Sequence, residues 1–161
     1  MKSVEIANPF GEMDNYKCFG CAPDNPYGLQ MKFKLEGDEV VSEWSPKEHF
    51  QGWNGVLHGG IQATLMDEIA SWVVFTILKT SGVTSKMQVN LVKPLKIKNG
   101  PYTLRAKLIE TKNNIASVSV TLADNNNVVC SDAIIDYFYY PVEIAKRRLF
   151  YPGIEKFLPE L

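Results

Sequence analysis

Gly59-Gly-Ile-Gln-Ala-Thr-Leu-Met-Asp67-Glu68-Ile-Ala-Ser-Trp-Val-Val-Phe-Thr-Ile-Leu-Lys-Thr80 is the longest helical stretch in the sequence, and apolar residues occupy nearly every face of it. A helix that is apolar all round is buried, so this segment is expected to be wrapped by the rest of the chain. Gly82 lies just past its end, where a helix stop is expected. Four strand candidates follow: Thr84 to Val92, Tyr102 to Thr111, Ile115 to Ala123 and Val128 to Tyr140. Turn signals at Lys98-Asn-Gly-Pro101, Lys112-Asn-Asn114 and Asp124-Asn-Asn-Asn127 separate them, and such short connections predict antiparallel neighbours. Strands of this length exceed the usual five or six residues, which implies a strongly curved sheet. The expected fold is therefore α+β, one buried helix inside a curved antiparallel sheet.

Upstream, Leu29-Gln-Met-Lys-Phe-Lys-Leu35 alternates apolar and polar residues, Glu36-Gly-Asp38 turns, and Val40 to Trp44 continues extended, which predicts a hairpin. Prolines and glycines interrupt residues 1–28, which are expected to be a loop-like lead-in. The expected organisation is the lead-in over 1–28, the wrapped helix over 29–141 and a tail with a short amphipathic helix over 142–161.

The chain has 161 residues, 45% hydrophobic and 22% charged, with a formal net charge of −1. This length suits one domain with a core large enough to fold without staples. Seventeen basic against eighteen acidic residues, with no block of like charge, argue against a nucleic-acid partner. The longest uncharged apolar run, Ile69 to Leu78, is too short to span a bilayer, so no membrane partner is expected. An odd cysteine count of three, no Asn-x-Ser/Thr site and no apolar leader after the basic start point to a reducing, cytoplasmic setting.

Nucleotide-binding, serine-hydrolase and zinc-protease motifs are missing. What remains is His49-Phe-Gln-Gly-Trp-Asn-Gly-Val-Leu-His58-Gly59-Gly60 and the carboxylates at 67 and 68. A charge in the most apolar helix of the chain is costly unless it is paired or used. Asp67 shares its face with Gly60, Ala63, Thr64, Ala70, Ser71 and Val74, a stripe of mostly small residues that permits close approach; Glu68 shares its face with Leu65, Trp72 and Phe75. His58-Gly59-Gly60 opens the helix, where free N–H groups and the dipole favour a polarised carbonyl oxygen, although two glycines also simply make a tight turn.

The pattern F-Q-G-x-x-G-x-x-H-G-G, six residues and Asp67 resembles the PaaI-like hotdog-fold acyl-CoA thioesterases. The likeness extends to Cys18-Phe-Gly-Cys-Ala-Pro-Asp-Asn-Pro-Tyr-Gly-Leu29 before it and Val83-Thr-Ser-Lys-Met-Gln-Val-Asn90 with Lys93-Pro94 after it, covering roughly residues 16–140. The resemblance implies a hotdog fold, a dimer or tetramer, and hydrolysis of an acyl-CoA without metal or other cofactor. It places the catalytic carboxylate at Asp67, the oxyanion-binding amide at Gly59 with His58 beside it, and an assisting hydroxyl at Thr84. Gly60, Gln51, Asn54 and Glu68 are expected to line the substrate.

Gly59 and Asp67 are eight residues apart, about 12 Å along a helix axis, too far for both to reach one thioester carbonyl. A shared site between two subunits is therefore expected. Two other functions compete. His49-Phe-Gln-Gly with Gly55-Val-Leu57 echoes acyl-thioester dehydratases of the same fold, but His49 stands too far from Asp67 for that pattern. A non-catalytic acyl-CoA-binding module would favour an apolar residue at 67. Cys18-x-x-Cys21 has no second cysteine pair, so packing of the lead-in is the expected role, with a metal site completed by His49 or a dimer mate as the alternative.

Overall fold

The computed structural model describes residues 3–159; Met1, Lys2, Glu160 and Leu161, at the ends of the expected lead-in and tail, lie outside the described residues. Seven strands form one sheet in the order β1-β2-β3-β5-β6-β7-β4, every pair antiparallel. They are β1 (Ser3–Ile6), β2 (Phe33–Glu36), β3 (Glu39–Trp44), β4 (Gly82–Leu91), β5 (Tyr102–Lys112), β6 (Ile115–Ala123) and β7 (Val129–Tyr139). One long helix, α1 (Gly59–Thr76), packs against β3 through β7. The short helices α2 (Val142–Leu149) and α3 (Ile154–Phe157) close the chain.

Alternation fixes which face meets the helix. Ala116, Val118, Val120 and Leu122 of β6 are buried while their neighbours are not, and β7 repeats the pattern with Ala133, Ile135 and Tyr137. Leu65, Met66, Ile69, Trp72 and Val73 of α1 fill the concavity, each fully buried. Bulges between Leu108 and Glu110 on β5 and between Thr84 and Lys86 on β4 interrupt the ladders. An extra residue on one strand bends it and increases its twist, which is how strands of nine to eleven residues wrap a helix.

Four features differ from expectation. The helix stops at Thr76, not near Thr80, because Lys79 takes the left-handed turn (φ 56°), and Gly82 already belongs to β4. β4 and β5 follow one another in sequence yet are not neighbours, since the chain crosses from the far edge of the sheet to its middle. Residues 3–6 of the lead-in form the opposite edge strand, paired with β2. The C-terminal segment enters the core: Phe157 is fully buried, stacked on Phe75 at 5.5 Å and edge-on to Trp72 at 5.7 Å, and the Tyr151 hydroxyl donates to the Phe75 carbonyl at 2.9 Å. Gly153, at φ +105°, makes the turn that lets Ile154–Phe157 fold back.

Candidate active site

The first turn of α1 is organised by His58. As N-cap residue its Nδ1 accepts the Gly60 N–H at 2.9 Å, and its carbonyl accepts the first helical bond from Gln62 at 3.1 Å. Accepting at Nδ1 leaves the proton of the neutral ring on Nε2. The Gly59 N–H has no partner among the described residues, so this donor stands free at the positive end of the helix. The side chain of Leu91 on β4 lies over this residue. A Cβ at residue 59 would come 2.8 Å from Leu91 Cδ1 of β4.

Two turns further on, Asp67 is held by two strands. Thr84 Oγ1 donates to Asp67 Oδ1 at 2.8 Å, and the Tyr137 hydroxyl lies 2.6 Å from both Oδ1 and the Asp67 carbonyl oxygen. Thr84 and Tyr137 are direct cross-strand partners, and the β4 bulge begins right after Thr84. Burial, with the Asp67 carboxylate beside it, holds the Tyr137 phenol protonated well above its ordinary range. Both donors therefore serve the same oxygen, which leaves Oδ2 of a half-buried carboxylate unpartnered among the described residues.

Glu68 points the other way. Its Oε1 accepts from Trp72 Nε1 at 3.1 Å, and its two oxygens lie 3.8 and 3.6 Å from Cys18 Sγ. Burial, reinforced by the Cys18 sulfur, pushes its carboxyl up to about 7. The hydrogen bond from the Cys21 thiol lowers Cys18 to about 5, against the effect of burial, and Cys21 is itself raised. Cys18, Cys21 and Glu68 are the described residues that could together hold a metal ion; His49 is exposed and packs on the Phe50 ring instead.

Among the expected residues, the structure thus joins Asp67 to Thr84 and puts His58, Gly59 and Gly60 at the helix start. Glu68 is turned toward the lead-in. Gln51 is spent on its own loop, bonded to the Gly55 N–H and, at 2.9 Å, to the Glu48 carbonyl. Asn54 is exposed, and both border a surface cavity of about 540 Å³ with Lys96 and Lys98, away from the Asp67 cluster. Tyr137, which the sequence offers only as one aromatic of a possible pocket lining, is a direct partner of Asp67. Its signal is the period of β7, which puts a phenol on the buried face, where its hydroxyl needs a polar partner.

The family model of the thioesterase superfamily matches residues 54–131, which include all of α1 and Thr84. A protein of Saccharolobus solfataricus with the provisional name of an esterase is 31% identical over 117 residues, 72% of this chain and 76% of the relative. The chain belongs to the thioesterase superfamily. Solved structures of that superfamily share its fold. A thioesterase from Haemophilus influenzae matches with a TM-score of 0.64 at 20% identity, over 71% of this chain and 80% of that one. A thioesterase superfamily protein matches with a TM-score of 0.66 at 20% identity, over 72% of this chain; the match spans only 57% of that longer chain. The expected hotdog α+β architecture is confirmed, and superfamily membership supports hydrolysis of thioesters in general. No helix among the described residues is long and apolar enough to cross a membrane.

Proposed function

We propose that this thioesterase superfamily member hydrolyses acyl-CoA to the free acid and CoA, with Asp67 as the nucleophile or general base. The observation that carries the reading is the Asp67 carboxylate: one oxygen is fixed by Thr84 and Tyr137, and the other is left free on the small-residue face of α1. Fixing Oδ1 orients Oδ2, either to attack the thioester carbonyl or to take a proton from water. The free Gly59 amide suits the oxyanion of the tetrahedral intermediate. A thiolate leaving group departs readily, so neither step requires a metal.

The site is built between two subunits of at least a dimer. The 12 Å separation along α1 argues for it, and so does β4, an edge strand exposed along most of its length, with Val83, Met87 and Leu91 uncovered. A long apolar edge calls for a pairing partner. The same arrangement would place Gly59 of one protomer near Asp67 of its partner.

The test is a panel of short, medium, long and aryl acyl-CoA thioesters assayed for free thiol. Turnover is expected on at least one, and Asp67→Asn should lower kcat by about 10³-fold or more with the fold retained. Glu68→Gln should be the milder change, since its carboxyl faces the lead-in. A panel bound without turnover would favour the binding module, and hydration of an enoyl thioester without hydrolysis would favour the dehydratase. A Glu68→Gln variant more damaged than Asp67→Asn would overturn the assignment of roles.

A further inference from the structure

The catalytic reading leaves one partly buried cluster unused. Cys18, Cys21 and Glu68 offer one ligand atom each, all within 4.8 Å of one another. We propose that these three side chains bind a thiophilic divalent cation of the zinc class, which pins the lead-in to the helix that carries Asp67.

Geometry comes first. Zinc bonds of about 2.3 Å to sulfur and 2.0–2.2 Å to oxygen, set at the tetrahedral angle, separate a sulfur from an oxygen ligand by about 3.5 Å. Cys18 Sγ and Glu68 Oε2 are 3.6 Å apart, longer than a strong hydrogen bond and close to that tetrahedral edge. The two-residue spacing of the cysteines folds as a turn, with the Ala22 N–H on the Cys18 carbonyl at 3.1 Å. Three protein ligands leave the fourth tetrahedral position to a water.

The surrounding shell fits the same purpose. Trp72 Nε1 orients the carboxylate at 3.1 Å, and the Tyr16 hydroxyl lies 3.0 Å from Cys21 Sγ, where it can donate to a thiolate. A side chain at Gly20 would collide with Glu68 Oε2, so glycine is what admits the carboxylate to the cysteine turn. Glu68 also lacks a cationic partner: none of the ion pairs among the described residues includes it. A partly buried carboxylate beside two sulfurs and no cation is a costly arrangement, which a bound divalent ion reverses. The thiol protons leave to solvent as the sulfurs ligate. The site holds the fold of the lead-in and takes no part in hydrolysis, so it stands or falls independently of the role of Asp67.

The experiment uses the reduced, metal-stripped full chain titrated with Co²⁺ as a spectroscopic probe and then with Zn²⁺. Expected are thiolate-to-cobalt charge-transfer bands that saturate at one ion per chain and disappear when Zn²⁺ displaces the cobalt. Cys18→Ser and Cys21→Ser should each diminish the bands and weaken Zn²⁺ binding by at least about 100-fold, whereas Glu68→Gln should keep them and weaken binding about 10–100-fold. Should the variants fail to fold, the wild type still decides: Zn²⁺ should slow alkylation of Cys18 by iodoacetamide. The proposal is overturned by absent bands in the reduced wild type, by bands that survive Cys18→Ser with Cys21→Ser, or by a Cys18 alkylation rate indifferent to Zn²⁺.

Discussion

Thr84 and Tyr137 face each other across the β4–β7 ladder, and both direct their hydroxyls to the same oxygen of Asp67. The two donors differ in what else they do. Thr84 is exposed and its hydroxyl donates to the carboxylate, whereas Tyr137 is buried and its hydroxyl also lies 2.6 Å from the Asp67 carbonyl oxygen.

Removing them should therefore separate activity from stability. Thr84→Ala is expected to lower kcat about 10–100-fold with little change in Tm. Tyr137→Phe should lower kcat similarly and also destabilise the fold by about 1–3 kcal/mol, because it removes a buried hydroxyl's hydrogen bond to a carboxylate. Steady-state kinetics and thermal unfolding of the two variants, measured side by side, check this; a Thr84→Ala variant with undiminished kcat would remove Thr84 from the site.

Complementation tests the shared site. Asp67→Asn and Gly59→Pro chains should each be inactive alone, and a co-refolded mixture should recover about a quarter of wild-type activity, since half the dimers are mixed and each holds one intact site of two. Because Leu91 lies over Gly59, the proline variant is to be checked by circular dichroism before mixing. A mixture that folds and exchanges yet stays inactive would refute a site made from two subunits.

Alkali should unfold the protein through its buried phenols. Burial raises Tyr102 to about 12, against 10 for an exposed tyrosine, and its hydroxyl donates to the Lys96 carbonyl at 2.9 Å. The folded state then keeps a proton that the unfolded state gives up. The stabilisation is complete below pH 10 and is lost as the pH climbs toward 12. Denaturant unfolding from pH 9 to 12 should show this decline, and Tyr102→Phe should make it shallower, with Tyr151, also raised to about 12, supplying part of what remains.

Phe157 offers the plainest stability test. A fully buried ring against Phe10, Trp72, Phe75 and Tyr151 leaves a large void when truncated. Phe157→Ala should cost about 3–5 kcal/mol, read as a lower denaturation midpoint. A change below 1 kcal/mol would show that the C-terminal segment is dispensable to the core.

Much of this was legible in the sequence, and the exceptions have physical reasons. The all-round apolar helix and the turn-bounded β6 stand out because local pattern alone specifies them. β1 does not, since four residues of Ser-Val-Glu-Ile are too few to establish an alternation. The position of β4 at the sheet edge is a crossover, which no local signal encodes. Asp67 stands out as a carboxylate on the small-residue face of an apolar helix, and Thr84 only through resemblance, but the approach of Cys18 to Glu68 joins residues fifty positions apart. Spacing could show that Glu68 looks away from Asp67, not what it meets.

β4 carries Thr84 at one end, against Asp67, and Leu91 at the other, over Gly59. A single strand thus sets the positions of both the start and the middle of the reactive helix, like a gauge laid along it. Adding or deleting one residue between 84 and 91 would flip the side chains beyond the change to the opposite face and misplace one of those contacts. Variation in chain length is expected to accumulate in the connection after β4, residues 92–101, and to be purged from the strand itself. The same rule bears on engineering: a graft that redesigns acyl preference can lengthen loops freely, but must conserve the residue count of this strand.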